Sequence, residues 1–264
     1  MQPENVIGSF TLTDTHTHIY YQAGTPNLAE QMNRCFENSV NRLFLPNVDL
    51  ESIPQVMDTV KAYPENCFAM LGLHPCSVGE DYKQVLDTIE QEIPKHKIYA
   101  IGEIGIDLYW DKSTLAWQQE AFRRQINWAK DLGLPISIHC REAFDEVFEI
   151  LDAEQDGRLF GIVHCFTGSL EQAKRAIALN FVLGIGGVVT FKKAGLDAVV
   201  KEVPLEHLVL ETDAPYLAPV PYRGKENESS YLFHIAQKVA DLHEISIEKL
   251  AEITTNNSIK VFNI

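Results

Sequence analysis

The sequence predicts an α/β fold, a single (β/α)8 TIM barrel with an extra C-terminal helix. Three observations predict it. Short apolar runs alternate with longer amphipathic segments along the whole chain. The apolar runs number about eight, the count such a barrel needs. The chain has 264 residues, and one barrel of about 250 residues fills that length.

The first run, "FTLTDTH", covers Phe10 to His16. The others are Arg42 to Val48, Cys67 to Pro75, Ile98 to Gly105, Leu134 to Cys140, Phe160 to Phe166, Phe181 to Gly187 and His207 to Asp213. The segments between them read as helices. "NLAEQMNRCFENSV" carries Leu28, Met32, Cys35, Phe36 and Val40 at helical spacing. A second helix is expected from a Ser113 cap to Gly133, and a third from Ser169 to Asn180. "SIEKLAEITTNNSIKVFN", opening on Ser246, is the last. Alternating strand and helix implies parallel strands joined by right-handed crossovers. An open doubly wound sheet fits the same alternation. However, "TLTDTHTH" lacks the glycine-rich phosphate turn of the dinucleotide-binding version. No long linker interrupts the pattern, so one domain over residues 1–264 is expected.

Composition narrows the class. With 45% hydrophobic and 22% charged residues the chain reads as soluble and globular. It has no run of about 20 apolar residues, so no membrane span is expected. The opening "MQPENVIGSF" shows no secretory signal, and five cysteines without C-x-x-C spacing read as reduced thiols. A cytoplasmic location is the resulting expectation. The net charge of -15, from 37 acids against 22 bases, argues against broad non-specific nucleic-acid binding. It leaves room for a local site, because bound divalent cations make a pocket positive inside an acidic shell.

The strand ends carry the chemistry. His16 and His18 end the first run, His74 the third, Glu103 the fourth, His139 the fifth, His164 the sixth and Asp213 the eighth. In a barrel these ends converge on one mouth. His16 and His18 stand two apart, the spacing that turns two strand side chains to one side. Imidazole and carboxylate are ligands for divalent metals. Four histidines and two acids exceed one tetrahedral ion and suit two. The expected assignment puts His16, His18 and Asp213 on one ion, His139 and His164 on the other, and Glu103 between them. Asp14, an even step before His16, is expected to orient a histidine ring. His96, His207, His234 and His243 lie in other contexts and read as structural.

In this order, "DTHTH", "GLHP", "GEIGID", "HCREA", "HCFTGS" and "ETDAPYLAP" resemble the TatD-type metal-dependent deoxyribonucleases of the amidohydrolase superfamily. The resemblance runs from Asp14 to the C-terminal "TTNNSIKVFNI". It implies a TIM barrel with metal ligands at His16, His18, Glu103, His139, His164 and Asp213. It also implies hydrolysis of DNA phosphodiesters, often exonucleolytic, with magnesium, manganese or zinc. One departure is Ser229, where the family usually has proline; Arg223, Lys225 and Asn227 keep the preceding pattern. Some metal barrels bridge their ions with a modified lysine on the fourth strand. Lys97 lies at the wrong end of that strand, and Glu103 at the right one.

The expected function is a metal-dependent hydrolase using two divalent ions, most simply a deoxyribonuclease of the 3'-5' exonuclease type. Its substrate would be DNA, as single strands or 3' ends, with no membrane and no obligatory protein partner. Asp213 would act as general base on a water activated by the ions, and Glu103 would hold the ions in place. His74 would bond a phosphate oxygen or protonate the leaving group. Arg223, Lys225, Asn227 and Arg141 would bind substrate. Asp107 and Glu211 would orient ligands or loops, and Tyr109 and Trp110 would stack bases. A hydrolase of a small ester, amide or lactone, or of aminoacyl-tRNA, is the alternative, since fold and metals do not fix the substrate.

Overall fold

Eight parallel strands run in sequence order, each paired with the next. The computed structural model describes residues 10–264; the N-terminal stretch read as free of a signal lies almost wholly outside them. The strands are β1 (Leu12–Asp14), β2 (Val40–Pro46), β3 (Cys67–Leu71), β4 (Ala100–Asp107), β5 (Ile136–Arg141), β6 (Gly161–Val163), β7 (Phe181–Ile185) and β8 (Leu208–Leu210). The helices are α1 (Pro26–Glu37), α2 (Ser52–Ala62), α3 (Tyr82–Glu92), α4 (Leu115–Leu132), α5 (Phe144–Glu154), α6 (Leu170–Ala178), α7 (Leu196–Glu202), α8 (Leu232–Leu242) and α9 (Ile247–Phe262). The architecture is the expected (β/α)8 barrel, and α9 is the additional C-terminal helix. No helix among the described residues is long and apolar enough to cross a membrane.

Local chemistry sets the helix ends. Ser169 and Gln172 form a reciprocal capping box at the start of α6, and Asn180 follows its end in the left-handed region, φ 71°. Ser246 caps α9 by accepting from the Lys249 N–H. The expected Ser113 cap is not formed. Asp111 accepts both the N–H and the hydroxyl of Ser113, and α4 begins two residues later. Gly133, at φ 64°, closes α4 as expected.

The barrel has two apolar layers. One lies between strands and helices and includes Leu43, Leu71, Ile101 and Phe122. The other fills the interior towards the N-terminal strand ends with Phe44, Met70, Ala100, Ile162, Val209 and Phe262. Four of these come from the even strands β2, β4, β6 and β8, the alternation expected of a barrel layer. Phe262 brings α9 against this layer and stacks on Phe44 with centroids 3.6 Å apart.

Among the described residues no strand ladder joins β8 to β1; side chains and single backbone bonds close that seam. The Thr15 N–H donates to the Leu210 carbonyl (3.0 Å), and the Asp213 N–H donates to the His16 carbonyl (2.9 Å). Asp14, fully buried, accepts from the Thr212 N–H (2.9 Å), the Thr212 hydroxyl (2.6 Å) and the His16 N–H (3.3 Å). It therefore holds two backbone N–H groups and the Thr212 hydroxyl rather than a histidine ring, correcting the role expected of it.

Candidate metal centre

The site residues stand at or beyond the strand ends. Glu103 and His139 lie within β4 and β5, while His16, His18, His74, His164 and Asp213 follow the last residues of β1, β3, β6 and β8. Past those points the chain turns inward. Asp213 itself takes a left-handed conformation, φ 56°, one that Asp tolerates better than bulkier residues. Strand alternation therefore does not place His16 and His18. The curled segment after β1 does, with their rings edge to face at 5.2 Å.

Glu103 sits at the middle, 2% exposed. Its oxygens face different ways. Oε2 lies 3.2 Å from His16 Nε2 and 3.8 Å from His18 Nε2. Oε1 lies 2.7 Å from His139 Nδ1, 3.3 Å from His164 Nε2 and 3.4 Å from His74 Nε2. Asp213 Oδ1 completes the first set, 3.5 Å from His18 Nε2 and 4.0 Å from His16 Nε2. Three triplets of donor atoms are close enough to share an ion: His16–His18–Asp213, His16–Glu103–His164 and His74–Glu103–His139. His139 and His164, expected on one ion, do not appear together in any triplet. Their rings are 6.2 Å apart, and His164 instead stacks on His16 at 3.5 Å.

Electrostatics follow from this crowding. Burial pushes the Glu103 carboxyl up, but the charges of His74, His16 and His164 outweigh it and hold Glu103 well below the carboxylate range. Burial lowers His16 and His74. It also works against the charged forms of His139 and His164, yet both end up raised, His139 by Asp107 and Glu103 and His164 by Glu211 and Glu103. Asp213 is lowered: burial opposes its charge, but a hydrogen bond with His18 and the charge of His164 prevail. An ionised carboxylate wrapped in imidazoles is a set that divalent cations bind in exchange for protons.

The outer nitrogen of each ring distinguishes ligands from donors. Ser137 Oγ is 3.3 Å from His16 Nδ1, Tyr20 Oη is 2.9 Å from His18 Nδ1, and Asp107 Oδ2 is 2.9 Å from His139 Nε2. Glu211 Oε1 is 3.0 Å from His164 Nδ1, an ion-pair distance off hydrogen-bond alignment. All four partners can accept a ring proton, which leaves the inner nitrogen a lone pair for a metal. His74 differs. Its Nδ1 accepts from the Cys76 N–H (3.0 Å), which can only donate. Neutral His74 must then carry its proton on Nε2, facing Glu103 and His139, so it is built as a donor.

The supporting groups are themselves anchored. Gln118, buried, accepts from the Asp107 N–H and donates to the Asp107 carbonyl (2.9 and 3.1 Å). Burial opposes the Asp107 charge, yet hydrogen bonds from His139 and the N–H groups of Trp110 and Tyr109 hold its carboxyl down to about 2. Gly105, at φ 144°, lets β4 press on β5, because a Cβ there would lie 2.0 Å from the His139 carbonyl oxygen. Gly184 makes room for fully buried Glu211, whose Oε2 would be 2.2 Å from a Cβ. Among the described residues, His164 Nδ1 and Glu211 Oε2 are the buried side-chain atoms lacking a hydrogen-bond partner. Both belong to the His164–Glu211 pair, on the side of the His164 ring away from Glu103.

A family model for TatD-related DNases matches residues 13–263. The chain belongs to the TatD family of metal-dependent hydrolases. It is 40% identical over 254 residues to the uncharacterized metal-dependent hydrolase YabD of Bacillus subtilis (strain 168), covering 96% of this chain and 99% of that one. It is 32% identical over 239 residues to the 3'-5' ssDNA/RNA exonuclease TatD of Yersinia pseudotuberculosis, covering 88% and 92%. The crystal structure of YJJV, a TatD homolog of Escherichia coli K12, superposes with a TM-score of 0.90 at 28% identity, covering 96% and 98%.

The remaining residues singled out in this TatD-family chain fall into two groups. Arg141 and Arg223 are exposed, and each lies on an aromatic ring, Tyr109 at 3.9 Å and Phe191 at 3.8 Å. Lys225 is exposed beside Tyr222. Asn227, expected to bind substrate, is 2% exposed and fully engaged within its loop. Its amide donates to the carbonyls of Thr212 and Tyr216, and its Oδ1 accepts from the Glu228 N–H. Ser229, in place of proline, bonds the Thr17 hydroxyl at 2.8 Å. Sequence reasoning missed Ser137 and the link from Tyr20 to His18. Ser137 precedes His139 by an even step on β5, so strand alternation alone could have placed it on the same inner face.

Proposed function

We propose that the centre binds two divalent ions, magnesium, manganese or zinc, and hydrolyses phosphodiester bonds of DNA from a 3' end. The carrying observation is the division of Glu103, with Oε2 towards His16 and His18 and Oε1 towards His139 and His164. A carboxylate shared this way suits a bridge between two ions and leaves His16, His18 and Asp213 to one of them. The Yersinia relative's activity on single-stranded DNA and RNA supports a nucleic-acid substrate. The five free thiols suit a cytoplasmic setting.

Ions bound there would supply an acidified water and neutralise charge on the phosphate. The chain supplies the rest. The Asp213 side chain is 14% exposed and that of Glu103 3%, so Asp213 is the carboxylate able to meet a water. It is held ionised and serves as general base. His74 offers its Nε2 proton to a phosphate oxygen or the leaving oxygen. Arg141, Arg223 and Lys225 have no carboxylate within ion-pair reach among the described residues and are free to meet phosphates. The acidic surface favours the rival reading of a small ester or lactone substrate.

Metal-depleted protein reconstituted with each ion, given end-labelled single- and double-stranded oligonucleotides, tests the proposal. The expected result is a ladder shortening from the 3' end only when an ion is present. In Asp213→Asn, turnover should fall about 10³-fold while at least one ion stays bound. Cleavage of lactones or small esters without any cation-dependent shortening of DNA would transfer the site to the rival.

A further inference from the structure

Beside the centre, the loop from β4 to α4 carries the most exposed large aromatic among the described residues. Trp110 is 70% exposed and Tyr109 50%. A tryptophan is buried on average, and the chain's other two follow that rule better, Trp117 at 37% and Trp128 at 7%. Trp110 is not a flap at an arbitrary place. Asp107 Oδ1 accepts from the N–H groups of both Tyr109 (2.9 Å) and Trp110 (3.1 Å), while its Oδ2 accepts from His139 (2.9 Å). One carboxylate therefore fixes the aromatic pair and a candidate metal ligand in a common frame.

Arg141, two residues beyond His139, belongs to the same patch. Its guanidinium lies 3.9 Å from the Tyr109 ring centroid and 5.7 Å from that of Trp110. Among the described residues no acid pairs with it, although the chain has 37 acids to 22 bases. Five other arginines find acidic partners, among them Arg34 in Glu228, Arg124 in Asp87 and Glu90, and Arg158 in Asp156. Stacking on Tyr109 holds the guanidinium in place and leaves its N–H edge open. The two rings meet edge to face at 4.9 Å and 88°, so Tyr109 braces Trp110, which still stays 70% exposed.

We propose that this patch is a nucleotide subsite, in which the Trp110 ring stacks an unpaired base of the bound strand and the Arg141 edge takes a neighbouring phosphate. This rests on the nucleic-acid reading above and assigns the residues that select an unpaired base near the scissile bond. Inside a duplex each base is paired and stacked on both faces, so Trp110 would have to displace those contacts to take one. A small ester offers neither base nor second phosphate.

Binding tests the subsite apart from catalysis. The probes are a fluorescein-labelled thymidylate decamer with a cleavage-resistant phosphorothioate backbone and its abasic counterpart, followed by anisotropy on the metal-loaded protein. The wild type should bind the base-bearing strand about tenfold more tightly than the abasic one, and its tryptophan emission should be quenched. Trp110→Ala should erase that preference and the quenching, and Trp110→Phe should keep most of the preference. Arg141→Gln should weaken both probes equally and reduce the salt slope by about one. Trp110 and Arg141 are exposed, so neither change threatens the fold. An unchanged base preference in Trp110→Ala, an unchanged salt slope in Arg141→Gln, or no binding of either probe by the wild type would overturn the subsite. Cation-dependent shortening of DNA judges the nuclease reading separately.

Discussion

At its N-terminal end the barrel interior is closed by Phe44, Met70, Ala100, Ile162, Val209 and Phe262. At its C-terminal end β4, β5 and the segments after β1, β3, β6 and β8 present Glu103, Asp213 and five imidazoles around one point. The upper end is more open than the lower, and the two hold together by different physics. The lower layer is stable through apolar burial and needs no partner. The upper layer buries charge, which is costly unless each group is paired. Its imidazole–carboxylate contacts meet that need in part, and divalent cations meet it more fully. The lower end is therefore expected to set stability, and the upper end to exchange some stability for binding and chemistry.

Glu103→Gln breaks the contrast from above. It removes the one group that faces both sets of imidazoles, so ion content should fall below one per chain and hydrolysis by roughly 10⁴-fold or more. Chelation should lower the wild-type Tm, since an ion at a hundred times its Kd contributes about 2.7 kcal/mol. The variant should show no such response in calorimetry. Phe262→Ala breaks the contrast from below. It empties a stacked, 3% exposed site at a cost of about 3–5 kcal/mol, and thermal melts should fall by roughly 10 °C. Ion content should stay at the wild-type level; its loss would show that the two ends are not separable. His74→Gln sharpens the upper end. If His74 is a donor and not a ligand, kcat should drop about 10²-fold with the bound ions unchanged by elemental analysis. A lost ion would make His74 a ligand.

The same contrast explains what the sequence revealed. Apolar periodicity follows burial, so the eight strands and the first, fourth, sixth and ninth helices could be located, although Val40, expected on the first helix, begins β2 instead. Charged and imidazole groups ending apolar runs are conspicuous because burying them is costly, and this picked out His16, His18, Glu103, His139, His164 and Asp213. What stayed hidden depends on partners distant in sequence or on backbone groups. The proton on His74 is set by the Cys76 N–H, which no residue type announces. Asn227 looks like a substrate contact until Thr212 and Tyr216 are seen to occupy its amide. Ser113 is a good cap by composition, but Asp111 takes it first.

The seam between β8 and β1 has a consequence for how the protein is made. Asp14 and Thr212, which join it, are 198 residues apart, and His16, His18 and Asp213 face one another across it. A nascent chain leaving the ribosome exposes its first two imidazoles early and must wait until β8 has been made before their carboxylate arrives. One half of the centre therefore cannot form until then, and a chain released before β8 cannot acquire it.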